Sequence, residues 1–308
     1  MKQYFLFFFI FFSGLNLAQS NTQLLIEGSE TDPVLSPVFS PDGNKIAYTK
    51  SSYKGIWIYN VQSNTSKQLT DEDAAGFAFR WSSDSKSILT RVAKYENLRR
   101  YNAVKIFDIV TGAATQLNDY ETMMPYLPQW VDGDTKIYLP TKSNDAIFNT
   151  GKTKNSNGAG NNLVVFEKSN KVVVKNLADN SEQFFEPAKD AQYINISTSP
   201  DNTKIVFEVM GGTMFVMNTD GSNLIDLGKG NRPRWSSNSK EIVYMITEDD
   251  GQNFTASDIF TINTDGTQKR NLTNTNNKIE MNPCFAPDGK SIIYDEANDG
   301  SIYLMNIE

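Results

Sequence analysis

Pro37-Val-Phe-Ser-Pro-Asp-Gly43, followed at once by the apolar run Lys45 to Thr49, is the stretch on which the fold turns. Pro-Asp-Gly is tight-turn chemistry: proline presets φ, and glycine accepts the left-handed conformation that reverses the chain. A turn of this kind between two short apolar segments reads as an antiparallel hairpin. Five more segments repeat it: Phe79-Arg-Trp-Ser-Ser-Asp-Ser85, Pro128-Gln-Trp-Val-Asp-Gly-Asp134, Ile196-Ser-Thr-Ser-Pro-Asp-Asn202, Pro233-Arg-Trp-Ser-Ser-Asn-Ser239 and Pro283-Cys-Phe-Ala-Pro-Asp-Gly289. Each is followed by an apolar strand, as in Lys204 to Glu208 and Lys290 to Tyr294.

Most repeats continue with a second strand, such as Ile56 to Tyr59 or Ile302 to Met305, and then a short third one, such as Lys67-Gln-Leu-Thr70. The aromatic anchors Phe39, Trp81, Trp130, Trp235 and Phe285 suit packing between neighbouring sheets. Thr198 breaks the series, so the fourth repeat is expected to pack differently. The anchors are spaced by 42, 49, 68, 37 and 50 residues, the size of a propeller blade apart from the third interval. The excess there, roughly 25 residues, is read as an exposed insertion at about 143–162 in the third blade, with the role of Leu163 to Glu167 left open. The expected fold is therefore all-β: a six-bladed β-propeller of four-stranded antiparallel blades. Its last repeat ends without a closing strand, and Thr22-Gln-Leu-Leu-Ile26 resembles the missing piece, so the N-terminal strand is expected to close the ring.

The aromatic-Ser-Pro-Asp-Gly turn, the Lys-Ile-apolar strand and the Gln-Leu-Thr ending together resemble the repeat of the TolB family, over roughly Gln23 to Glu308. That resemblance implies a propeller of the cell envelope, where TolB binds a peptidoglycan-associated lipoprotein within the Tol system. Only about fifteen residues separate the first repeat from the presumptive leader, so the likeness does not extend to TolB's separate N-terminal α/β domain.

Residues 1–20 read as a signal peptide: Lys2, an apolar run from Tyr4 to Phe12, and a small-x-small site at Ala18-Gln19-Ser20. The run is shorter than a membrane-spanning helix requires. The expected product is periplasmic or secreted, not membrane-spanning and monomeric, with residues 21–308 as one propeller domain. The single Cys284 permits no intrachain disulfide and, lying between Pro283 and Phe285, is expected to be a buried structural thiol. A formal charge of −7 disfavours nucleic acid, the one local basic patch being Lys94, Arg99 and Arg100.

The chain has no histidine, which excludes Ser-His-Asp and Cys-His catalysis and every His-ligated metal site. Lyases of the oligogalacturonate type, whose repeat is similar, rely on histidine. There is also no G-x-S-x-G elbow. The expectation is a non-catalytic scaffold that binds a protein, peptide or cell-envelope ligand at the channel mouth, with no cofactor. Tyr126, Gln129, Tyr193, Arg232, Arg234 and Glu280 lie in or just before the innermost strands and are the candidate contacts, Tyr and Arg being frequent energetic anchors. The alternative is a lactonase-like hydrolase holding a divalent cation, calcium for instance, through Asp32, Asp73, Glu121, Asn195 and Glu280. The acidic turns Asp132-Gly133-Asp134 and Glu248-Asp249-Asp250 lack the full spacing of a calcium loop.

Overall fold

The computed structural model describes residues 21–154 and 162–307. The proposed signal peptide, residues 1–20, lies outside the described residues, as does part of the proposed insertion. No helix among the described residues is long and apolar enough to cross a membrane.

The chain forms seven antiparallel sheets, so the propeller has seven blades and the expected six is corrected. Blade 1 is Val34–Phe39, Lys45–Lys50, Ile56–Asn60 and Thr65–Thr70; blade 2 is Arg80–Trp81, Ser87–Glu96, Arg99–Asp108 and Ala114–Gln116. Blade 3 is Gln129–Val131, Lys136–Leu139 and Ala146–Asn149, and blade 4 is Leu163–Glu167, Val172–Asn176 and Ser181–Phe185. These two are three-stranded, which also corrects the uniform four-stranded expectation. Blade 5 runs Tyr193–Thr198, Lys204–Val209, Met214–Asn218, Ile225–Gly228, and blade 6 runs Asn231–Trp235, Glu241–Asp249, Phe254–Asn263, Arg270–Asn271. Blade 7 takes Glu280–Phe285, Ser291–Glu296 and Ser301–Asn306 from the C-terminal end and Thr22–Ile26 from the N-terminal one.

The long third interval is thus mostly a whole extra blade. Its first hairpin turns through Ser169 and Asn170, both at left-handed φ (56° and 59°), a two-residue connection that needs no Pro-Asp-Gly. Ala146–Asn149, inside the supposed insertion, is the third strand of blade 3.

Closure follows the sequence expectation. Thr22 pairs with Met305, Gln23 with Leu304 and Leu24 with Tyr303, so the two ends of the chain share one sheet and cover each other's edge. The first strands of blades 3 and 4, 4 and 5, 6 and 7, and 7 and 1 touch one another, and the core is split into apolar layers between blades.

The repeat residues act as links between blades. Trp81, Trp130 and Trp235 each donate the indole N–H to a backbone oxygen of the preceding sequence repeat: to Val38 at 3.1 Å, to Arg80 at 3.3 Å and to Ser197 at 3.3 Å. Blade 5 has Thr198 there and packs on blade 4 through Tyr193, Ile196 and Phe207 against Val165, Val172 and Val174. The turn serines make the second link. Ser40 donates to Asp42 at 2.6 Å, fixing the turn, and the Asp42 N–H donates to Ser85 of blade 2 at 3.1 Å. Asp201 and Ser239 repeat this between blades 5 and 6.

Candidate functional site

The innermost strands carry a recurring bulge. Ser36, Asn195, Arg232 and Asn282 all sit at left-handed φ of 52–54°, where the pairing register with the second strand skips. Ser36, Arg232 and Asn282 each precede a proline, a setting that normally favours extended backbone. Left-handed backbone at a non-glycine costs about 1 kcal/mol, so each bulge must be held by other contacts. A bulge also frees an N–H from the ladder.

Two buried carboxylates take up those groups. Glu208 in blade 5 and Asp295 in blade 7 hold the same repeat position, the fifth residue of a second strand that begins at Lys204 or Ser291. Glu208 accepts from the Asn195 amide (2.7 Å) and from the Arg232 N–H of the next blade (3.0 Å). Asp295 accepts from the Asn282 amide (2.9 and 3.1 Å) and from the Ser36 N–H of blade 1 (2.9 Å). The Arg232 guanidinium joins the two halves by donating to Asn282 Oδ1 at 2.5 Å. The result is one continuous polar arc through blades 5, 6, 7 and 1. Asp295 is 1% exposed, and desolvation pushes its pKa up to about 7 against the lowering pull of Asn282, Ser36 and Arg232.

Two residues further along the same strands lies a second layer, immediately before the aromatic anchors: Val38, Arg80, Gln129, Ser197, Arg234 and Cys284. Gln129 donates its amide to the Val165 oxygen of blade 4 at 2.9 Å. Arg80 and Arg234 belong to blades 2 and 6, which are not neighbours in the ring. Burial lowers the Arg80 pKa and the charge of Arg234 lowers it further. Cys284 is half-buried; burial raises its pKa while the charge of Arg234 works the other way.

At the mouth where chain enters the innermost strands, blades 1 and 2 enclose a cleft of about 550 Å³. Ser51, Ser52, Tyr53 and Lys54 come from the blade 1 hairpin, Asp73, Ala74 and Phe77 from the connection between the blades, and Arg91, Tyr95 and Arg100 from the long blade 2 hairpin. Tyr53 and Phe77 meet edge to face at 5.2 Å, and Arg91 lies 5.9 Å over the Phe77 ring. Burial and the charge of Arg100 both lower the Arg91 pKa. Tyr95 is 59% exposed. Ser52, Tyr53 and Ala74 all have left-handed φ, so strained backbone lines this cleft. A second cleft of about 420 Å³ lies between blades 3 and 4, but there the Lys175 charge is shared between Asp145 and Glu182 at 3.2 and 2.8 Å.

Of the sequence candidates, Arg232 belongs to the polar arc and Gln129 and Arg234 to the inner layer. Tyr193 is buried, donating to the Ala188 oxygen at 2.7 Å, and Tyr126 packs edge to face on Phe166 at 5.9 Å. Glu280 is 1% exposed; Thr275 donates to one of its oxygens, the other has no partner among the described residues, and desolvation raises its pKa. The proposed cation ligands do not converge. Asp32 pairs with Lys50, Asp73 bridges to Ala93, Glu121 bridges to Asn102, and Asn195 serves Glu208. Among the described residues no three His, Cys, Asp or Glu side chains come together to hold a metal. Asp132 is bound to Lys154 and Lys136, which hold its pKa down at about 2, and Asp134 accepts from Ser83, linking blades 2 and 3. Sequence reading missed Tyr53, Phe77, Arg91 and Tyr95, and of the cleft's basic residues it had marked only Arg100. Lys94 of the same patch pairs with Glu96 at 2.9 Å.

No protein-family model matches the chain, and no curated protein matches it in sequence. Similar solved structures include TolB from Acinetobacter baumannii, 16% identical with a TM-score of 0.56, the match covering 83% of this chain and 57% of that one. The chain thus spans little more than half the length of that TolB. An oligogalacturonate lyase in complex with manganese is 13% identical with a TM-score of 0.51, covering 90% of this chain and 77% of the lyase. At these identities the likeness is one of fold.

Proposed function

We propose that this protein is an exported, non-catalytic scaffold that binds a protein, peptide or cell-envelope ligand at the channel mouth. The observation that supports this reading is the cleft between blades 1 and 2. It gathers aromatic and cationic side chains from three separate segments onto one face, and aromatic and arginine side chains are the types that most often anchor partners. Strained residues in its walls are the kind of cost that a binding surface retains.

The buried carboxylates favour the same reading. Glu208 and Asp295, the two acidic groups best placed for channel chemistry, are committed to holding backbone bulges. The TolB likeness in fold is compatible with a scaffold, and the propeller covers the part of that protein that this chain resembles. Export rests on the leader-like first twenty residues.

The test uses cross-linking of the purified chain in envelope extract of its source organism, wild type against a Tyr95→Ala, Arg100→Ala double variant. Both side chains are exposed, so the fold should be unaffected. A discrete adduct that the double variant loses supports the reading. An adduct that survives the change, or none with the wild type, contradicts it.

A further inference from the structure

Two arginines line the cleft between blades 1 and 2, and neither has an acid partner among the described residues. Arg91 donates to the Met124 oxygen, and Arg100 donates its Nε–H to Asn102 Oδ1 at 2.9 Å; both acceptors are neutral. The register of the blade 2 hairpin brings the two together. Tyr95 is the cross-strand partner of Arg100, and Arg91 lies four residues before Tyr95 on the same strand, so all three share one face of the sheet. The other charges of the cleft do not neutralise them, because Lys54 and Asp73 lie 3.9 Å apart and offset each other.

Two uncompensated cations thus share one cavity of about 550 Å³, on a chain whose formal charge is −7. The cleft between blades 3 and 4 differs in this respect, since its Lys175 is met by Asp145 and Glu182 from within the protein. A guanidinium with free N–H groups takes a carboxylate through two parallel hydrogen bonds. Apolar surface lies beside these donors. Phe77 is 39% and Tyr95 59% exposed, and the Tyr53 and Phe77 rings stand at 80° to each other, a corner that suits a side chain better than a flat stacking platform would.

Given the scaffold reading, on which this rests, we infer that the cleft binds an acidic peptide segment: Arg91 and Arg100 meet a carboxylate, and the rings take the apolar side chain beside it. The recognised chemistry is therefore Asp or Glu next to an aromatic or aliphatic residue.

The probe is a phage-displayed library of random linear peptides, panned on the purified chain. Recovered peptides should carry that acidic-apolar pairing. The tightest of them is synthesised with a fluorescent label, once with its acids and once with the matching amides, and both forms are titrated by anisotropy. Arg100 is exposed, so Arg100→Gln should keep the wild-type Tm. On the wild type the amide form should bind about tenfold more weakly than the acid form, and on Arg100→Gln that loss should shrink to about threefold. On the Arg91→Gln, Arg100→Gln double variant it should vanish. An amide loss as large on Arg100→Gln as on the wild type, or a recovered set of neutral or basic peptides, overturns the inference. So does the recovery of no peptide, which would leave a non-peptide envelope ligand as the occupant. The scaffold reading is judged separately by its cross-linked adduct: an adduct lost from the Tyr95→Ala, Arg100→Ala variant, together with neutral peptides here, would keep the scaffold and remove only its acidic ligand.

Discussion

The two layers of the channel lie two residues apart on the same strands, and they treat buried polarity in opposite ways. In the outer layer every group has a partner: Asn195, Glu208, Arg232, Asn282, Asp295 and the Ser36 N–H form one connected arc. In the inner layer the half-buried guanidinium groups of Arg80 and Arg234 have no hydrogen bond or ion pair among the described residues. Residue type alone does not separate the two layers, since Arg232 of the outer one and Arg234 of the inner one are equally candidate contacts. Satisfaction decides the matter: a polar group whose bonds are complete inside the protein has nothing left for a ligand, whereas an uncompensated one has.

The largest test of this contrast is pH. Asp295 has a folded-state pKa of about 7, above the ordinary 3.8, so between these values the folded chain holds a proton that the unfolded chain has released. By linkage, the stability associated with that proton is fully present below about pH 4 and is lost as pH rises to 7. Asp295→Asn keeps an oxygen for Ser36 and Asn282 but removes the titration. Its stability relative to wild type should therefore climb between pH 4 and 7, by up to about 4 kcal/mol, and then level off, as followed by urea unfolding across that range. A difference that stays flat would show that Asp295 does not titrate in the window.

Asn282→Ala should give the next largest effect. It strips Asp295 and Arg232 of a shared partner and places alanine at left-handed φ, so a loss of about 3 kcal/mol is expected in chemical denaturation. A loss under about 1 kcal/mol would mean that the arc is not a stabilising network. The smallest effect belongs to Arg80→Gln, which should gain about 1 kcal/mol by removing an unpaired, partly desolvated charge.

The same contrast explains what could be read in the sequence. Pro-Asp-Gly turns and their variants, with an aromatic two residues earlier, are local signals, and they located the blades that carry them. The Gln-Leu of Thr22–Ile26 likewise revealed the closing strand, which pairs as expected. Blade 4 has neither signal: its turn is Ser169-Asn170 and its innermost strand, Leu163–Glu167, lacks an anchor, so the role of that strand stayed open and the count came to six. At the site, Arg232, Arg234, Gln129 and Glu280 could be placed near the channel because position in the repeat gives the strand. Which of them would be satisfied could not, since Asn282 meets Arg232 and Glu208 meets the Arg232 N–H across blades. The cleft was invisible for a related reason, as Tyr53, Phe77 and Tyr95 come together only when two blades are in place.

The most direct measurement sets the two layers side by side: urea unfolding of Asn282→Ala and Arg80→Gln in chloride buffer at one pH, both against wild type. The expected result is a shift of opposite sign, Asn282→Ala to lower and Arg80→Gln to equal or higher stability. A loss of similar size in both would contradict it, because the arginine would then be as much a part of the internal scaffold as the arc beside it.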